Sequence, residues 1–111
     1  VTTQRKPLVE SRDAPTAITT VYSASVPAII DKFTGTNTTA TAATLSVHLC
    51  KSGETAGATN RVAQAVSIAP GATYGFPEVA EHVLSPNGFI AVIASAAGIT
   101  IRASGRETTP D

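Results

Sequence analysis

The sequence predicts an all-β fold: a single β-sandwich or jelly-roll-like domain of about seven antiparallel strands, preceded by an extended N-terminal arm. Three observations lead there. Thr, Ala, Val, Ile and Ser dominate the 111 residues, while aromatics number five and Met and Trp are absent; β-branched residues in this abundance suit a pleated surface. Short apolar or alternating runs recur roughly every ten residues, with Gly, Pro and Asn between them, which is the spacing of an antiparallel sandwich. The stretch Phe89-Ile90-Ala91-Val92-Ile93-Ala94 is apolar without a break, between Ser85-Pro86-Asn87-Gly88 and Ala96-Ala97-Gly98. A short apolar run framed by turn residues reads as a strand covered on both faces, and the rest of the chain is expected to assemble around it.

Taken in order, residues 1–15 (VTTQRKPLVESRDAP) show no sustained period and carry prolines at 7 and 15. Proline is kept out of helix and sheet interiors, so this stretch is expected to be either a disordered terminus or an extended arm, separate from a domain spanning 16–111. Leu8 and Val9 are its apolar anchor, expected to lie on a neighbouring subunit. Residues 17–23 (AITTVYS) form a first β-branched strand. In the second, 28–36, Asp31 and Lys32 interrupt the alternation on both faces. Residues 44–50 show the cleanest period of two, with Leu45, Val47 and Leu49 inward and Thr44, Ser46 and His48 outward. A Gly-rich loop covers 51–60, a strand 62–68, and Ala69-Pro70-Gly71-Ala72 a type II turn, where Gly accepts φ > 0 at the third position. A short strand follows at 73–76. Residues 78–84 (EVAEHVL) are the one place where helix competes, as one or two turns after Pro77. The last strand is 99–107, with Ile99, Ile101 and Ala103 inward and Arg102 outward.

Eight basic residues balance eight acidic ones, and no face is expected to be obviously basic. Nucleic-acid binding is therefore not expected. No run approaches the length of a membrane span and no basic-then-apolar leader opens the chain, so neither membrane contact nor secretion is expected. A charged fraction of 14% is low. Free monomers wear more charge, so much of the surface is expected to be covered by other subunits.

Candidate chemistry is sparse. His48 and His82 are the two histidines, and Cys50 is the one cysteine. His48 and Cys50 share a strand face, yet two ligands do not make a zinc site. No base is placed to activate Cys50, which reads as a small buried hydrophobe. The loop Lys51-Ser52-Gly53-Glu54-Thr55-Ala56-Gly57 lacks the order of a phosphate-cradling loop. Asn37-Thr38-Thr39 matches a glycosylation acceptor by chance in a Thr-rich chain. Glu78 and Glu81 lie close in sequence and not opposed across a cleft, as a glycosidase pair would be. No catalytic residue, metal or cofactor is expected.

Residues 44–49 (TLSVHL), Ser52-Gly53, Ala56-Gly57, Asn60-Arg61, 68–74 (IAPGATY), 94–97 (ASAA) and 101–105 (IRASG) with Glu107 form an ordered pattern. It resembles a small β-sandwich module common in structural proteins of tailed bacteriophages. That family runs as strand, Ser-Gly/Ala-Gly loop, Asn-Arg, strand, Pro-Gly turn and closing Ser-Gly-X-Glu. The resemblance implies a non-enzymatic virion protein present in many copies. Its first implication is a capsid decoration or cement protein, a homo-oligomer on the outer capsid surface whose partners are the major capsid protein and copies of itself. Arg5, Lys6, Leu8 and Val9 would then make the arm contacts. A tail, baseplate or fibre-attachment component is the alternative, and a carbohydrate-binding module the third reading.

Overall fold

The structure is a computed structural model and describes residues 2–109. Nine strands follow in order: β1 Thr2–Asp13, β2 Thr19–Ser23, β3 Ala28–Asn37, β4 Ala43–Cys50, β5 Arg61–Ile68, β6 Thr73–Tyr74, β7 Val83–Leu84, β8 Phe89–Ala94 and β9 Ile99–Thr109. They form two antiparallel sheets. One has the order β1-β9-β3-β6, with β7 also pairing β3; the other has the order β2-β8-β4-β5. The expected all-β sandwich is thus the observed fold, with β8 inside its sheet between β2 and β4.

The core lies between the sheets. Ile30, Phe33, Ile99 and Ile101 from the first sheet meet Leu45, Val47, Ile90 and Val92 from the second, all fully buried. Burying each such side chain contributes about 1.5–3 kcal/mol. Phe76 closes one end, its ring edge-on to Phe33 at 5.4 Å and to Tyr74 at 4.8 Å. Gly71 has φ 74°, as the type II turn requires.

Four expectations are corrected. Residues 2–13 are neither a disordered terminus nor an arm laid on a neighbour but an extended edge strand, paired with β9 from Thr2↔Thr109 to Asp13↔Thr100. Pro7 is compatible with this because a sheet edge tolerates a missing N–H. A register shift between Pro7 and Val9 breaks the alternation, and Leu8 and Val9 are both buried in the chain's own core rather than on a neighbour. Residue 1 of the expected arm, and residues 110–111 of the tail, lie outside the described residues.

The second correction concerns β3. Ile30 and Phe33 are both buried, although odd and even positions should face opposite ways. A register shift between Ile30 and Lys32 resolves this, since a bulge adds one residue and restores the inward face. Third, residues 78–84 hold no helix beyond a single turn. Ala80 N–H donates to the Phe76 carbonyl in one helical turn, but Glu81 at φ 70° ends it. Its N–H then donates to the Ile30 carbonyl, and the chain enters β7. Fourth, β1 and β7 bring the strands from the expected seven to nine.

Candidate interaction surfaces

The expected arm residues separate into two pairs. Leu8 and Val9 are core. Arg5 is exposed, directly opposite Arg106 in the β1–β9 register, and Lys6 reaches Glu107 at 3.3 Å. Glu107 also accepts a hydrogen bond from the Tyr22 hydroxyl, tying β9 to the second sheet. Burial and the Glu107 carboxylate push the Tyr22 phenol well above its usual range, so it stays a donor.

His48 occupies the side of β4 opposite to Leu45 and Val47, as alternation places it, facing Ala91 of β8. The outward direction does not bring exposure, because it is fully buried. Its two ring nitrogens have fixed roles. The Arg61 Nε–H, a permanent donor, lies 3.1 Å from Nε2, which must therefore accept. Nδ1 is left to carry the proton and donate to the Ala91 carbonyl at 3.3 Å. Burial, together with the Arg61 charge, lowers the His48 pKa from its usual 6.5 despite the Ala91 carbonyl. His48 is a neutral structural link between β8, β4 and β5, not a ligand awaiting a metal. Among the described residues no group of three or more His, Cys, Asp or Glu is placed to hold a metal ion.

Cys50 is buried, as expected of a small hydrophobe. Burial and then the Glu54 charge raise its thiol pKa, which keeps it protonated and a poor nucleophile. It lines a cleft of about 230 Å³ with Leu49, Lys51, Glu54, Val83, Leu84 and Ser85. The neighbouring loop has its amides already engaged. Lys51 N–H donates to Glu54 Oε1 and Gly57 N–H to Asn60 Oδ1, each at 2.9 Å. Those amides are not free to cradle a phosphate. Asn37 is fully buried and its amide donates to the carbonyls of Thr41 and Ile68, so it is no glycan acceptor. Glu78 accepts from the Tyr74 hydroxyl, while Glu81 and His82 are exposed on the turn beyond it.

The feature that sequence reading misses is the outer face of the first sheet. The β9 residues Arg102, Ser104 and Arg106 alternate away from the buried Ile101 and Ala103. By register Lys32 and Pro7 stand beside Ser104, Thr34 beside Arg102, and Arg5 beside Arg106. Directly opposed residues of an antiparallel pair share a face. Asp31 joins it through a bidentate pair with Arg106 at 2.9 and 3.0 Å, and Glu10 approaches Arg102 at 3.6 Å. One face of a chain with zero formal charge therefore gathers four cations (Arg5, Lys32, Arg102, Arg106) against three carboxylates (Asp31, Glu10 and, opposite Thr100, Asp13). Its cations come from three separate strands, so no run in the sequence announces it.

Compared with protein-family models, with curated proteins and with solved structures, the chain matches none.

Proposed function

We propose that this chain is a non-enzymatic structural protein of a tailed-phage virion, a capsid decoration or cement protein that works in many copies. The reading rests first on the sequence pattern from Thr44 to Glu107, which resembles that group of modules. The structural observation that supports it is β1. It is a twelve-residue strand at the end of the sheet order, next to β9, in a molecule 48 Å in its longest dimension. Long open edges are sites for contact with other chains. A protein bound across two shell subunits stabilises the assembled state by mass action, because it binds that state and not the separated subunits.

The test is stoichiometry in purified virions. A copy number comparable with that of the major capsid protein supports a shell component. A few copies per particle moves the protein to the tail, and absence from virions removes both readings. In this reading Arg5 remains available as a contact from β1 and Lys6 only by giving up Glu107, whereas Leu8 and Val9 do not, being core residues.

A further inference from the structure

We propose that the outer face of the five-stranded sheet, between β3 and β9, docks an acidic segment of a partner protein by seating its carboxylates among Lys32, Thr34, Arg102 and Ser104. These four residues line a cleft of about 240 Å³. Small-molecule sites begin at about 300 Å³, so this one is sized for one or two side chains of a partner rather than for a separate ligand. All four linings are polar, two are cationic, and none is acidic.

The cations have capacity to spare. Lys32 is exposed and makes no hydrogen bond or ion pair among the described residues. Arg102 is held only at long range, by Glu10 at 3.6 Å and by the Ser11 hydroxyl at 3.4 Å, both through Nη1. A guanidinium carries five N–H donors, so most of this one's donors are uncommitted. Ser104 contributes a hydroxyl with no partner among the described residues, next to Lys32 in the register. An incoming carboxylate can take the Lys32 ammonium, the Ser104 hydroxyl and a second Arg102 N–H without displacing a strong internal bond.

The same face argues for protein carboxylates over a nucleic-acid backbone. Asp31, fixed on Arg106, and Glu10, beside Arg102, bracket the cleft with negative charge. A continuous row of phosphates would run over them, whereas a side-chain carboxylate can enter between. No aromatic ring is present for base stacking: Phe33, the one aromatic residue of β3, is fully buried in the core. The inference does not depend on where the protein works, so it stands or falls separately from the virion reading.

The experiment uses the purified chain and a glutamate-rich peptide at low ionic strength, with binding mapped by amide chemical shifts. A glutamine-rich peptide and a duplex DNA serve as the comparison probes. The expected result is shifts centred on residues 32–34 and 102–104 with the glutamate peptide, absent with the glutamine peptide and weakened by salt. Lys32→Ala should reduce affinity by up to about fivefold, the range of one exposed charge pair, and Lys32→Glu with Arg102→Glu should abolish binding. Lys51→Glu, in the other cleft, should leave binding unchanged. Both residues of the reversal are exposed, and an unchanged amide spectrum establishes that the variant is folded. No binding, shifts elsewhere, insensitivity to the reversal, or tighter binding of DNA to this face would each overturn the proposal.

Discussion

The two sheets of this sandwich share one core but treat their outer faces differently. The four-stranded sheet buries part of its outer side. His48 and Ala91 are inaccessible there, with the neutral His48 held between Arg61 and the Ala91 carbonyl. The five-stranded sheet instead presents rows of charge, with ion pairs between Arg106 and Asp31 and between Arg102 and Glu10. The difference teaches that apolar pattern and function need not coincide. The most hydrophobic strand, β8, organises the fold, while the candidate contact surface sits on strands that alternate.

The most severe way to break this comparison is to attack the shared core. Phe33→Ala on one sheet and Ile90→Ala on the other should each cost about 3 kcal/mol or more. Denaturant unfolding should stay a single transition in both; two separate transitions would mean that the sheets do not share one core. Leu8→Ala comes next, at about 2–3 kcal/mol. An arm that lay on a neighbour would give almost no loss in the isolated chain, so this variant sharpens the assignment of β1 to the chain's own sheet.

His48→Leu should cost about 1–3 kcal/mol, because it strands the Ala91 carbonyl and the Arg61 N–H. The native pH dependence follows from the lowered pKa of His48. The unfolded chain binds a proton at a higher pH than the folded one, so this contribution is fully present above about pH 6.5 and is lost as the pH falls through the folded value. Chemical denaturation as a function of pH should show that loss in the native protein and a flatter profile in His48→Leu. An unchanged slope would assign it to other groups. The smallest effect belongs to the charged face. Asp31→Asn should cost about 0.2–1 kcal/mol, since both partners are more than a third exposed and solvent screens the pair. A loss several times larger, measured by thermal or urea unfolding, would make that face part of the fold's stability rather than a surface free for binding.

Glycine 105 shows how closely β9 is enclosed. A Cβ built there would lie 2.2 Å from the Ile29 carbonyl oxygen and 2.7 Å from Leu8 Cδ1. The sequence presents this residue only as part of the Ser-Gly-X-Glu pattern within the last strand. Its need for glycine comes from two strands remote in sequence, one of them the stretch read as an arm. Residues 2–13 do not announce themselves as a strand because local pattern detects regular alternation, and the register shift between Pro7 and Val9 destroys it. Alternation places His48 outward but gives a direction and not a depth, so its burial is not legible in the sequence.

The sequence by itself determined the class of fold, the strand at its centre and most of the strand boundaries, because these follow from hydrophobic period and turn chemistry within a few residues. It also determined that Cys50 would be buried. Tertiary structure alone decided that residues 2–13 join the sheet, that His48 is a buried neutral link, and that Arg5, Lys32, Arg102 and Arg106 meet on one face. Each of those depends on pairing between strands distant in the chain. Strand register, unlike periodicity, is fixed by the partner strand as well as by the strand itself.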